Sequence, residues 1–293
     1  GLALAFIFCY SLIQLQLVWK YRTYRKQAAF DSPKLLEEKE LPSVCVQLPI
    51  FNEAYVAERL VDKICELDYP QDLFMIQVLD DSTDETQRLL KAKVSEKKQN
   101  GFQIEYLHRK DRAGFKAGAL AEGLKQTQAE LIAIFDADFM PEPGFLKEMV
   151  PAFQDQEIGM VQSRWEHLNE GYSWLTKLQA FGLDAHFSVE QGGRNAGGHF
   201  INFNGTAGVW RKSCIEEAGG WQSDTLTEDL DLSYRAQLKG WKFRFLEKVG
   251  APAELPAAMN ALKTQQFRWN KGAAECVRKN LGKVLRAEKL SFS

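Results

Sequence analysis

Two signatures that would place a chain at once are missing from this sequence: it has no CxxC pair and no histidine cluster. Its five cysteines, Cys9, Cys45, Cys65, Cys214 and Cys276, mostly sit in apolar runs. They read as reduced, buried thiols in a cytosolic compartment, with neither a zinc site nor a disulfide frame. His108, His167, His186 and His199 are dispersed. A basic excess is also absent. Lys and Arg number 37 against 39 Asp and Glu, a formal net charge of −2, which gives no sign of a nucleic-acid binder. No internal repeat or low-complexity tract occurs. What is present is an ordinary globular composition, 45% hydrophobic and 26% charged, over 293 residues, enough for one large domain or two small ones. The 19 Phe and 7 Trp suit a sugar-handling protein and equally suit a large core.

The N-terminus departs from this average. Leu2 to Trp19 is almost uninterruptedly apolar, broken by Ser11, Gln14 and Gln16, and approaches the roughly 20 residues that cross a bilayer. Lys20, Arg22, Arg25 and Lys26 follow at once, so the positive-inside rule puts the next domain in the cytosol. A signal peptide would carry its charge before the apolar stretch. We therefore expect a transmembrane helix over residues 1–19 and a charged linker over 20–42. The first residue is Gly rather than Met, so a piece of a longer chain with further membrane helices is expected.

From residue 43 strand and helix patterns alternate. Val44–Leu48 is a short apolar strand, and Asn52 is placed to cap a helix carrying Val56, Leu60, Ile64 and Leu67 on one stripe. Strands at 74–79, 102–107 and 131–135 and helices at 84–98 and 118–125 continue the pattern. Such repetition predicts a doubly wound, mainly parallel sheet, with ligands beyond the carboxyl ends of the strands. The second half reads as less regular, with a glycine-rich loop over 191–198 and helices over 227–239 and 262–279.

Acidic residues gather at the predicted strand ends. Asp136 and Asp138 follow one strand, as two hard oxygen ligands of the kind Mg²⁺ or Mn²⁺ selects with phosphate oxygens. Carboxylates also end strands as plain turn residues. Asp80 and Asp81 end another strand, where one carboxylate could hydrogen-bond a nucleobase or ribose. Lys116 could bring positive charge near a diphosphate. Thr225-Leu-Thr-Glu-Asp-Leu-Asp231 crowds three acids into a helix start. There they complement the macrodipole, Thr225 and Glu228 fit a capping box, and one carboxylate could serve as a general base. Gln265, Arg268 and Trp269 share a helix face that offers an amide, a guanidinium suited to phosphate and an aromatic plane. Core packing explains Trp269 equally well.

Taken in order, the segments LDYPQDLFMIQVLDDSTDET, RAGFKAGAL, FNGTAGVWR, AGGW, TEDLDLSYRAQLKGWKF and QQFRW resemble glycosyltransferase family 2. The likeness is to its processive membrane synthases of β-glycans, in the cellulose-synthase-like branch with glucomannan and glucan synthases. It covers nearly all of residues 42–280 and implies a GT-A domain there, with residues 281–293 opening a membrane-proximal segment. The resemblance implies Asp81, or Asp80, near the nucleoside, and Asp136 and Asp138 at the diphosphate and a Mg²⁺ or Mn²⁺ ion. Lys116, Gln265 and Arg268 would serve the donor, Asp229 would be the catalytic base, and Trp269 with Phe203, Asn204, Gly205 and Thr206 would meet the acceptor. The larger synthases carry Cys-Gly where this chain has Asn204-Gly205. The implied reaction moves a hexose from UDP-glucose or GDP-mannose to a β-linked polysaccharide with inversion. The implied location is the cytosolic face of a bacterial membrane, or of the Golgi in a eukaryote. At a helix start the macrodipole is expected to keep Asp229 ionised. Residues about 100° apart should leave at most one of the three acids facing an acceptor.

Rival readings fare less well. A nicotinamide or flavin oxidoreductase would need a glycine fingerprint after the first strand, where Pro-Ile-Phe-Asn-Glu stands instead. A phosphatase using Asp136 would carry Thr at the position of Met140. A catalytically dead sugar-binding scaffold, and a single-addition lipid glycosyltransferase of the glucosylceramide-synthase kind, remain as alternatives.

Overall fold

A computed structural model of the chain describes residues 1–27 and 35–287. The middle of the expected linker and residues 288–293 lie outside the described residues. A seven-stranded mixed sheet organises the rest, in the order β3-β2-β1-β4-β6-β5-β7. In chain order the strands are β1 (Val44–Ile50), β2 (Phe74–Asp80), β3 (Ile104–His108), β4 (Leu131–Ile134), β5 (Ile158–His167), β6 (Gly208–Arg211) and β7 (Lys242–Ala253). Strands β3, β2, β1 and β4 run parallel, β6 is antiparallel to both neighbours, and β7 is parallel to β5. The sheet is thus mainly parallel, as the alternation predicts. Strands β5 to β7 lie in the half that reads as irregular. Arg164, Glu166 and His167 break the apolar pattern of β5, and β6 is only 4 residues long.

The helices are α1 (Leu2–Gln27), α2 (Ala57–Cys65), α3 (Thr86–Gln99), α4 (Phe115–Lys125), α5 (Phe145–Met149), α6 (Trp174–Ala185), α7 (Gly192–Ala196), α8 (Lys212–Glu217), α9 (Glu228–Leu238) and α10 (Met259–Leu285). Successive residues of a strand face opposite sides, so each strand feeds two cores. Val44, Val46 and Leu48 join Leu60 and Ile64 of α2 and Leu90 of α3 on one face. Cys45 and Ile132 join Leu120 of α4 and Leu232 of α9 on the other. Each fully buried side chain of this size contributes about 1.5–3 kcal/mol, which locks the register that carries the strand ends.

Three local expectations change. Asn52 does not cap α2, whose N-cap is Val56. It adopts a left-handed φ of 56°, and its Oδ1 accepts from Thr83 N–H at 2.9 Å, tying the turn after β1 to the turn after β2. The glycine-rich loop is instead the short helix α7, preceded by a π-helical turn, His186–Gln191. Glycine is needed there for close approach: a Cβ on Gly193 would stand 2.7 Å from the carbonyl oxygen of Leu17 in α1. Helix α1 also runs past the apolar stretch to Gln27, so the basic residues expected to open a linker are helical. Its Ala3–Thr23 segment is long and apolar enough to cross a membrane and is mostly exposed, apart from a side around Leu17 that meets α7.

Candidate active site

Parallel neighbours end at the same edge. Register pairs Ile50 with Asp80 across β1 and β2, and Gln47 with Ile134 across β1 and β4. The turns holding Glu53, Asp81 and Asp136–Asp138 therefore meet beyond the carboxyl ends. There they line a cleft of about 740 Å³ with the starts of α4 and α9 and one face of α10.

Asp136 and Asp138 lie on its floor. Burial, then the neighbouring Asp136, pushes the Asp138 carboxyl up to about 7. Burial and Asp136 also raise Glu53. The acids crowd a space that rewards a cation. Among the described residues no group of three or more His, Cys, Asp and Glu side chains is arranged to hold a metal by itself. The donor set fits a hard divalent ion whose shell is completed by a ligand's phosphate oxygens.

Lys116, in the first turn of α4, ion-pairs Asp136 and donates to the carbonyl of Gly205 at 3.0 Å. Burial would lower its pKa, but Asp136, Glu228 and Asp229 outweigh burial and leave it raised. Gly205 has φ of 84°, and a Cβ there would stand 3.1 Å from Asp229 Oδ2, so a side chain would press on that carboxylate. Thr206 Oγ1 accepts from Asp136 N–H at 2.9 Å. One segment, Asn204–Thr206, thus touches both the Asp136 turn and Asp229.

The acids of α9 part company. Glu228 and Asp229 both line the cleft, because the cleft wraps around the helix end. The expected ionised state of Asp229 is opposed by its surroundings. Burial, then Glu228, pushes Asp229 up to about 7, and burial raises Glu228. The dipole of one helix start does not offset that desolvation. Asp231 turns away with 0% exposure. It accepts from Arg235 Nε at 2.7 Å, Lys279 Nζ at 3.0 Å and Asn280 Nδ2 at 3.0 Å, anchoring α9 to α10. Burial opposes its charge, but these partners hold its carboxyl below the usual range. The Thr225–Glu228 capping box does not form, since Thr227 is the N-cap and no side chain caps it.

Gln265, Arg268 and Trp269 project from α10 into the cleft. Trp269 is half-buried, its ring tilted on Trp165 with centroids 6.4 Å apart, so it is a cleft wall rather than core. Asp81 lines the cleft with its carboxylate held by the fork of Arg109, Nε to Oδ1 at 2.8 Å.

Two expected residues are not in the cleft wall. Asp80 has 0% exposure, and its oxygens are taken by Ser82 N–H at 2.9 Å and Tyr106 Oη at 2.6 Å. It stabilises the turn that presents Asp81. Phe203 is 1% exposed, packed edge-on to Trp210 at 5.5 Å. Burial alternates along Ile201–Asn204, which sends Phe203 inward and Asn204 to the cleft.

Arg112 and Glu53, to which the sequence pattern assigns no role, also line the cleft. The Arg112 guanidinium lies 3.3 Å from the ring centroid of Phe51, and burial lowers its pKa. Its place beside Lys116 in one segment was the signal available.

Sheet and cleft together are of the GT-A glycosyltransferase class. The chain itself belongs to the family described as "Glycosyltransferase like family 2", whose model matches residues 42–272. It is 40% identical over 288 residues to "Glucomannan 4-beta-mannosyltransferase 2" of Arabidopsis thaliana, covering 96% of this chain and 54% of that protein. It is 41% identical over 276 residues to "Glucomannan 4-beta-mannosyltransferase 1" of Oryza sativa subsp. japonica, covering 92% and 53%. The chain spans about half the length of the curated relatives it matches. Among solved structures it is similar in fold to the mannosyltransferase PcManGT from Pyrobaculum calidifontis in complex with GDP-Man and Mn²⁺. That match has a TM-score of 0.71 at 20% identity and covers 94% of this chain and 75% of that one. It is also similar to S. aureus TarS 1-349 in complex with UDP-GlcNAc, with a TM-score of 0.60 at 17% identity, covering 85% and 68%.

Proposed function

We propose that the chain is the catalytic domain of a membrane-bound inverting glycosyltransferase. It transfers a hexose from a nucleotide sugar to the end of a β-1,4-linked glycan. The observation that carries the reading is the single cleft in which Asp229 stands against Gly205 while Asp136 and Asp138 lie on the floor beside Lys116. A carboxylate base on one side and a phosphate-charge site on the other are what one displacement at an anomeric carbon needs.

Asp229 takes the proton of an acceptor hydroxyl, whose oxygen attacks the anomeric carbon as the bond to the nucleoside diphosphate breaks. A single displacement at an α-linked donor gives a β-linkage, with no carboxylate nucleophile. Asp136 and Asp138 would hold a Mg²⁺ or Mn²⁺ ion, which when bound supplies charge to the diphosphate. Lys116, Arg268 and Gln265 orient the phosphates, Asp81 the nucleoside, and Trp269 offers its face to the acceptor sugar. The names of the relatives favour a mannosyl donor such as GDP-mannose, with UDP-glucose as the comparison. Helix α1 is read as a membrane anchor, with the cleft on the cytosolic side.

The test is incubation of membranes carrying the full-length protein with GDP-mannose or UDP-glucose, followed by linkage analysis. A β-1,4-linked polymer is expected. A product of one hexose on lipid would transfer the same site to a single-addition enzyme, and nucleoside diphosphate release from neither donor would refute the reading.

A further inference from the structure

Gln14 interrupts the apolar run of α1, and a polar side chain in such a helix needs a partner. It has one. Gln14 Nε2 donates to Glu190 Oε1 at 3.1 Å, with Tyr10 Oη at 3.5 Å from the same oxygen. Glu190 and His186 lie one turn apart in the π-helical segment, and Glu190 Oε2 is 2.8 Å from His186 Nδ1. Hydrogen bonding from His186, ahead of the opposing effect of burial, holds the Glu190 carboxyl below its usual range. On the far side of the ring His186 Nε2 lies 3.1 Å from Asn204 Nδ2, and Asn204 lines the cleft.

The orientations in this network follow one from another, starting from a backbone group. Gln191, with 0% exposure, accepts from Asn202 N–H at 3.2 Å and donates to Asn202 C=O at 2.7 Å, which settles which end of its amide is which. Its Nε2 also donates to Asn204 Oδ1 at 2.7 Å. The Asn204 amide nitrogen must then face His186, so Nε2 of the ring is the acceptor and Nδ1–H points to the Glu190 carboxylate. The Asn204 backbone is pinned as well, its N–H donating to Gln162 Oε1 at 2.9 Å. A primary amide has two N–H groups and two carbonyl lone pairs. One of each is committed, leaving one of each for a ligand in the cleft beside Gly205 and Asp229.

We propose that His186 and Glu190 are positioning residues that hold the Asn204 amide against a hydroxyl of the acceptor sugar. The inference rests on the glycosyltransferase reading above. Neither His186 nor Glu190 lines the cleft, so both act through Asn204. A π-helical turn costs regular helical bonding and recurs at functional sites. Here it places His186, Glu190 and Gln191 on one network.

Full-length protein in membranes, assayed with GDP-mannose and a β-1,4-linked mannotetraose acceptor, tests it. His186→Ala should raise the acceptor KM about 2- to 10-fold, the range for one neutral hydrogen bond, while the donor KM holds. His186→Gln, whose amide oxygen can replace the ring acceptor, should recover at least half of the loss. In the background of Asn204→Ala, adding His186→Ala should cost nothing further, because residues acting through one another are not additive. An acceptor KM unmoved by His186→Ala, or equal rises in both KM values with a lowered Tm, overturns the relay. A wild type that transfers no hexose removes the reading and the relay together, whereas transfer without the His186 effect removes the relay alone.

Discussion

Replacing Asp229 by Asn changes one oxygen for nitrogen in a side chain lodged against Gly205. The shape survives and the proton acceptor does not. General base catalysis is typically worth about 100- to 10,000-fold, or about 3–5 kcal/mol of barrier. Turnover should fall by that factor, and the dissociation constant of the nucleotide-sugar donor should stay within about twofold. The charge relations set the sign of the stability effect. Burial and Glu228 raise Asp229 to about 7, above its usual value. Such an acid stabilises the fold while protonated, and that contribution is lost as pH rises from about 4 through 7. A neutral Asn feels no such loss, so the variant should match the wild type below about pH 4 and exceed its Tm near pH 8. The same protonation makes wild-type kcat/KM climb with pH through about 7 and level off above it. Calorimetric donor binding, thermal unfolding at both pH values and a pH–rate profile check these outcomes. Turnover above a tenth of wild type would refute the assignment and move the base to Glu228. A Tm lowered by several degrees at pH 8 would show that Asp229 serves the helix start alone.

Asp231→Asn should act on the fold, since it removes the charge that Arg235 and Lys279 share in a fully buried position. Breaking such a pair costs about 3–5 kcal/mol, which a drop in Tm with little change in donor KM would reveal. Trp269→Ala should slow glycan elongation far more than donor hydrolysis, because its half-buried ring walls the cleft on Trp165. Equal loss of both activities, with a fall in Tm, would return it to the core. Turnover should require Mg²⁺ or Mn²⁺, and Asp138→Asn should weaken metal and donor binding together, both read by calorimetry. Undiminished activity after thorough EDTA treatment would sink that expectation.

Local rules in the sequence reached the doubly wound half of the sheet. Apolar runs bounded by turn residues predict β1 to β4, and parallel neighbours must end at one edge, so Asp81, Asp136 and Asp138 were placed together by pattern and chain sense alone. Helical spacing likewise put Gln265, Arg268 and Trp269 on one face of α10. Tertiary packing decided the rest, because one-dimensional pattern does not say what lies opposite a side chain. Asp80 and Asp81 are adjacent and chemically identical, yet Tyr106 and Ser82 take the first inward while Arg109 holds the second at the cleft. Asp229 and Asp231 share a helix turn, but only the partners on α10 make the second an anchor. The protonation of Asp229 follows from desolvation, which depends on every element that closes the cleft. The glycines at 192 and 193 read as loop formers until α1 is set against them, when the absence of a Cβ becomes the condition for helix contact. Pattern and chain sense establish which chemistry stands at the sheet edge; packing selects which of those groups face the cleft and what charge they carry there, since burial and pairing arise between residues far apart in the chain.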